Sequence, residues 1–247
     1  MLDERYHDTI AAEYDTVVND PRRYANDLLF APVLDGIDSA VSGLLDLGCG
    51  TGQMIERLGT RFKPDRIVGV DHSEGMLGVA ADRARRLGLS QTELHRGHIL
   101  DYLERTSETF SVISCVGALH HLKHQNARSV IHECRRLLEP GGWLVVAEPV
   151  DNASFHGIPN WIHQWNRRSV ATRSTYSVHA SEPDEAPLPE HFLEETLDGG
   201  GFTIRVKHCG IEVLPRNMPP SPLDRLVIRL VNMPYRKAGY ITAILAS

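Results

Sequence analysis

Three glycines at alternate positions, Gly48, Gly50 and Gly52, follow the apolar run Leu44-Leu45-Asp46-Leu47 and precede a helical pattern that begins at Gln53. Glycines so spaced let the chain turn tightly and let a ligand lie against main-chain atoms that a Cβ would block. The spacing is G-x-G-x-G, one residue shorter than the dinucleotide fingerprint, and an acid, Asp46, precedes it within the strand. A diphosphate prefers a helix N-terminus free of carboxylates, whereas a ligand with a cationic amino-acid group gains from a carboxylate beside the loop. Nineteen residues after Gly52 the run Val68-Gly69-Val70 ends at Asp71. A carboxylate there can accept hydrogen bonds from both hydroxyls of a ribose. Taken alone, Asp71 reads equally as an acid capping the helix after Ser73. Joined to the loop at this distance, the ribose reading outweighs the cap.

Such residues need a frame that brings strand ends together. Short apolar runs alternate with amphipathic stretches from about residue 43 to 148, the pattern of a parallel sheet with crossover helices. Strands are expected from Gly43 to Leu47, Arg66 to Val70, Thr92 to Arg96, Phe110 to Cys115 and Trp143 to Glu148. One helical stripe holds Met76, Leu77, Ala80, Ala84 and Leu87, with Ser73 as its cap. Another holds Ala127, Val130, Ile131, Cys134, Leu137 and Leu138, and is expected to stop at Pro140-Gly141-Gly142. The alternation is then lost over an insertion at 150–187. Order returns in a helix near Glu190 to Leu197, a strand from Phe202 to His208, a helix from Leu223 to Leu230 and a strand from Tyr240 to Leu245. The first 40 residues read as two helices, one containing Tyr6, Ile10 and Tyr14. A single domain is expected: cap helices at 1–42, a cofactor-binding core at 43–149, a lid at 150–187, and a C-terminal part at 188–247 with a second insertion at 211–237.

Composition limits the classes. The chain has 247 residues, 42% hydrophobic and 23% charged, with a net charge of −6, which excludes disorder, collagen and coiled coil. Its longest apolar runs, such as Leu144 to Ala147, fall far short of the roughly 20 residues a membrane helix needs. The residues from Met1 to Ile10 lack the apolar stretch of a secretory signal. Cys49, Cys115, Cys134 and Cys209 lie 66, 19 and 75 residues apart, matching no metal or redox motif. The expectation is a cytoplasmic protein with four free thiols and no membrane partner. Acidic charge argues against a nucleic-acid partner, and the cluster Arg83, Arg85 and Arg86 reads as a solvated helix face. Oligomeric state is not legible.

The segments LLDLGCGTG, VGVDHSEGML, FSVISCVGALHHL and LLEPGGWLVVAEP, in this order, resemble the class I S-adenosylmethionine-dependent methyltransferases, in particular the small-molecule branch that includes the quinone-biosynthesis enzymes. The resemblance covers residues 43–148 closely and the later strands only by position. It implies an α/β Rossmann-like fold with a seven-stranded, mostly parallel sheet, helices on both faces and the last strand antiparallel. S-adenosylmethionine would lie across the carboxyl ends of the strands. Gly48, Cys49, Gly50 and Gly52 would pack against its methionine portion and ribose, Asp46 near the ammonium, Asp71 on the ribose, and Cys115 and Val116 at the methionine end. His72 and Met76, within the second segment, join this set. Many relatives carry Gly-Asp after the third strand to bond the adenine amino group. This chain has Gly97-His98-Ile99, so His98 and the Ile99 amide take that place, with Asp101 as a fallback acceptor.

Methyl transfer from a sulfonium is an in-line displacement on an activated carbon, so alignment supplies much of the catalysis. A base is needed only where the acceptor must lose a proton. Among 13 histidines, His120 and His121 follow the fourth strand at the expected edge, and relatives often have a histidine at the second position. Either a base there or local packing that shapes the loop satisfies the sequence. His156 and Glu148 are weaker candidates. His120, His121 and His124 do not read as a metal site, because adjacent histidines diverge and no acid pair is near. Trp161 and Trp165, one turn apart, read as a wall of the acceptor site or, slightly better for each singly, as staples to the core. Tyr6 and Tyr14 read as covering the cofactor or as core. The expected reaction is methylation of oxygen or carbon on a small aromatic or natural-product-like acceptor. The alternatives are a cofactor-binding scaffold or rearrangement catalyst that transfers no methyl group, and a protein or RNA methyltransferase.

Overall fold

The computed structural model describes residues 2–151, 187–210, 221–233 and 241–247, with the first six side chains and those of Val17 and Pro21 left aside. The sheet runs in the order β3-β2-β1-β4-β5-β8-β7, where β1 is Gly43–Leu47, β2 Arg66–Asp71, β3 Thr92–Arg96, β4 Phe110–Val116, β5 Leu138–Asp151, β7 Ile204–Gly210 and β8 Ile241–Ala246. β8 is antiparallel to both β5 and β7, and the remaining pairs along this path are parallel. An eighth strand, β6 (Leu188–Pro189), pairs with Val150 and Asp151 of β5. It is too short to be seen in a hydrophobic pattern.

Every residue of β1 is buried, as a strand covered on both faces requires. Alternation then divides the core in two. Leu45, Ile113, Leu144, Val146 and Ile244 join one cluster with Val130, Ile131 and Cys134 of α6 (His124–Leu137). Leu44, Val112, Val145 and Leu245 join the other with Val33 of α2 (Asp20–Asp35) and Ile55 and Leu58 of α3 (Gln53–Phe62). Because β1 lies between β2 and β4, the chain departs in opposite directions from it, and a crevice opens outside the carboxyl ends of β1 and β4.

The structure departs from the expected reading at several points. The helix stripe of α6 ends at Leu137, and β5 starts at Leu138. Pro140-Gly141-Gly142 therefore lies inside the strand, where register jumps from Phe110↔Leu138 to Val112↔Trp143. The glycines serve a bulge there, with Gly141 at φ 76°. The N-terminal part is α1 (Leu2–Tyr14), a π-helical turn (Asp15–Asn19) and α2 rather than two plain helices. Arg83 of α4 (Glu74–Arg86) is 6% exposed, so only Arg85 and Arg86 form the solvated basic face. The remaining helices are α5 (Ile99–Arg105), α7 (Phe192–Gly199) and α8 (Pro222–Asn232). Most of the expected lid, including His156, Trp161 and Trp165, lies outside the described residues, as does the Tyr6 side chain. Among the described residues no helix is long and apolar enough to cross a membrane. All four cysteines are buried and free.

Candidate active site

Gly48, Gly50 and Gly52 adopt φ of 69°, 50° and 81°, the left-handed region that the turn from β1 into α3 demands and that a Cβ disfavours. Gly48 and Cys49 donate backbone hydrogen bonds to the Val70 carbonyl at 2.8 and 3.0 Å, fastening the loop to the end of β2. Space near the loop is unequal. A Cβ on Gly48 would come within 2.6 Å of the Ala118 Cβ, whereas one on Gly50 would meet nothing within 4 Å, and the same openness is found at Gly97 and Gly117. These three glycines follow β1, β3 and β4 at the carboxyl edge, and Gly117, also at positive φ, was not singled out by its sequence spacing.

Asp71 ends β2 and holds the loop as well as the next helix. Its Oδ2 accepts from the Gly50 N–H at 2.8 Å and its Oδ1 from the Ser73 N–H at 2.9 Å. Ser73 in turn caps α4, accepting from the Met76 N–H at 3.1 Å. Asp71 thus holds the capping serine rather than capping α4 itself, and its carboxylate keeps further lone pairs for hydroxyl donors. Asp46 is buried, accepts from Ser114 Oγ at 2.7 Å through Oδ1, and leaves Oδ2 buried without a hydrogen bond. Burial pushes its carboxyl up to about 7, against the pull of the Ser114 bond. The Cys49 thiol is pushed up by burial and by the neighbouring Asp46 and Asp71, and Cys115 chiefly by burial. Both thiols are buried and favour the protonated form. Met76 is buried in α4, Val116 ends β4, and His98 starts α5 with Ile99 as its first helical residue.

Histidines gather at the same edge. The His72 and His98 rings stack at 6.2 Å and 11°, and His7 of α1 lies edge-on to both His72 and His121 at 5.8 Å. Tyr14 lies 6.2 Å from His7, so the N-terminal helix stands over the strand ends. His120 and His121 occupy a 3-10 turn, Leu119–His121, with rings 4.1 Å apart. His120 is singled out by its partner. Its Nδ1 lies 2.7 Å from Oε2 of Glu148, a residue of β5 with no exposed surface. Oε1 of Glu148 accepts from the N–H groups of Ala118 and Leu119 at 2.9 and 2.8 Å. Among the described residues no group of three or more His, Cys, Asp or Glu is arranged to hold a metal ion.

Sequence comparison matches residues 44–142 to the methyltransferase domain family. That stretch is similar to a methyltransferase domain. The chain is 35% identical over 56% of its length to a biotin biosynthesis bifunctional protein from Teredinibacter turnerae, of which the match covers 24%. It is 33% identical over 46% of its length to a ubiquinone biosynthesis O-methyltransferase from Dechloromonas aromatica, of which the match covers 49%. The chain thus spans half or less of these relatives' lengths. A solved complex of DhpI with SAH shares the fold, with a TM-score of 0.60 at 16% identity over 98% of this chain and 93% of that one. The methyltransferase domain uses S-adenosylmethionine, and the geometry fits that cofactor. The orphaned Asp46 oxygen suits an ammonium, and the openings at Gly50, Gly97 and Gly117 would be closed by side chains.

Proposed function

We propose that the chain methylates an ionisable oxygen of a small, aromatic or natural-product-like acceptor, with His120 as general base and Glu148 as the residue that orients it. The observation that carries this reading is the pairing of partly exposed His120 with buried Glu148, 2.7 Å apart at the carboxyl edge of the sheet. When bound, S-adenosylmethionine supplies a methyl group already activated by its sulfonium. Glu148 is fixed by the Ala118 and Leu119 N–H groups and accepts the Nδ1 proton of His120, which leaves Nε2 as the basic nitrogen. An imidazole so held can take a hydroxyl proton, and the resulting imidazolium is stabilised by the carboxylate behind it. The O-methyltransferase among the relatives supports oxygen as the target. Asp46 would meet the cofactor ammonium, Asp71 the ribose, and His98 with the Ile99 amide the adenine. Tyr14, from the helix over the strand ends, would face the acceptor side.

The reading is tested with methyl-labelled cofactor and a panel of phenols and catechols, in the wild type and the His120→Ala and Glu148→Gln variants. Loss of a general base lowers kcat by about 10² to 10⁴. The expected result is a fall in that range for His120→Ala, a smaller fall for Glu148→Gln, and a shifted acidic limb of the pH profile in the latter. Label found only in protein or RNA would overturn the small-acceptor reading, and unchanged kcat in His120→Ala would overturn the base.

A further inference from the structure

Arg83, one residue of an otherwise solvated basic run, is buried at the foot of the cofactor loop. Its Nε donates to the Thr51 carbonyl at 2.8 Å, and its two terminal nitrogens reach the carboxylates of Glu56 and Asp15. Asp15 belongs to the π-helical turn between α1 and α2, and also accepts from Thr51 Oγ1 at 2.7 Å and Asn19 Nδ2 at 2.8 Å. Asn19 Nδ2 lies 3.1 Å from Thr51 Oγ1 as well. Thr51 stands between Gly50 and Gly52, and is 2% exposed. Asp15 and Asn19, four residues apart, face it together, and π turns recur where helices serve a site. Gly52 contributes by its lack of a side chain, since a Cβ there would lie 3.2 Å from Ala80 and 3.6 Å from the Arg83 Cδ.

A second bond set lies nearby. Ser73 Oγ and the Gly75 N–H both donate to Asp8 of α1, at 2.6 and 2.9 Å, and these bonds hold the Asp8 carboxyl below its ordinary range. Ser73 is also bonded to Asp71, which holds Gly50. Two independent routes therefore lead from the N-terminal helices into the loop, one ending on Thr51 and one on Gly50.

We propose that Asp15, Asn19 and Arg83 form a clasp through which the N-terminal helices set the shape of the cofactor loop, and that they are positioning residues for S-adenosylmethionine. The physical reason is that a loop of left-handed glycines has little intrinsic preference for one conformation, so its geometry must be imposed by neighbours. The clasp bonds both the carbonyl and the hydroxyl of Thr51, the loop residue between Gly50 and Gly52. By linkage, a cofactor that favours the clasped loop must tighten the docking of the N-terminal helices in equal measure.

The test uses S-adenosylhomocysteine binding by calorimetry together with amide hydrogen exchange. In the wild type, ligand is expected to slow exchange at residues 50–52 and, concurrently, at 15–19. Asp15→Asn is expected to weaken binding about tenfold, the effect of losing a charge-assisted bond, and to uncouple the two protected segments. Asn19→Ala keeps every charge and should weaken binding severalfold, so it decides the matter if Asp15→Asn fails to fold. Asp27→Asn is the control. It breaks the Arg57–Asp27 ion pair between α3 and α2 without touching the loop, and should leave affinity within twofold. Equal losses in Asp27→Asn and the clasp variants would show only general docking and overturn the proposal. So would binding within twofold of wild type in Asp15→Asn and Asn19→Ala, or ligand protection that never reaches 15–19. A wild-type protein that binds no S-adenosylhomocysteine would instead overturn the cofactor.

Discussion

Asp46 is a carboxyl kept near neutrality by burial, with one oxygen bonded to Ser114 and the other orphaned. Its folded pKa of about 7 lies above the 3.8 of the free side chain. The folded state therefore retains a proton that the unfolded chain loses, so this group's contribution to stability is full below about pH 4 and is lost as pH rises toward 7. An ammonium beside it reverses the preference, because a neighbouring cation favours the carboxylate. S-adenosylhomocysteine affinity should thus rise from pH 6 to 8 with proton release near pH 6.5, and Asp46→Asn should bind weakly with a flattened pH dependence. Calorimetry in two buffers of different ionisation enthalpy reads both. The acids of the loop were legible because spacing along adjoining strands places them at one edge. Arg83 was not, since three arginines within one turn do not reveal which of them faces inward. Asp15 was hidden for a different reason, that its arginine partner lies 68 residues away.

The loop between β1 and α3 separates two roles that glycine plays. At Gly48 an added Cβ collides with Ala118 at 2.6 Å, while at Gly50 it enters empty space. Gly48→Ala should therefore lower the melting temperature by several degrees and weaken cofactor binding with it. Gly50→Ala meets only the cost of a left-handed alanine, about 1 to 2 kcal/mol, and should lose binding out of proportion to its small change in melting temperature. Thermal melts paired with calorimetry distinguish the two. Similar losses of binding and stability at both positions would mean that the opening at Gly50 is not used. The elements around the loop were largely readable, because β1, β2 and β4 are mainly apolar runs bounded by turn residues, and the edge strand β3, although polar, falls between two helical patterns. The bulge in β5 was misread as a helix stop since proline and glycine punctuate either structure, and the π-helical turn carries no composition that sets it apart from its flanking helices.

Across the whole molecule, the two-sided core follows from alternation along β1, β4, β5 and β8, which is why the fold class could be read before any coordinate. What alternation does not give is the order of the late strands. β8 follows β7 in the chain yet lies between β5 and β7, bonding Leu144 to Pro149 on one side and Ile204 to Gly210 on the other. Removing residues 241–247 should therefore detach β7 as well, and leave the apolar edge of β5 open. The expected result is loss of a cooperative melt, with aggregation followed by light scattering.

The same threading sets a schedule for synthesis. As the chain leaves the ribosome, β1 to β5 can pair as soon as they appear, but the stretch of β5 from Leu144 to Pro149 waits for its partner β8 until Ile241 emerges. During that interval Val145 and Val146 lie on a strand edge able to accept any passing β segment. The nascent chain, rather than the finished fold, is thus where this topology is most exposed to misassembly.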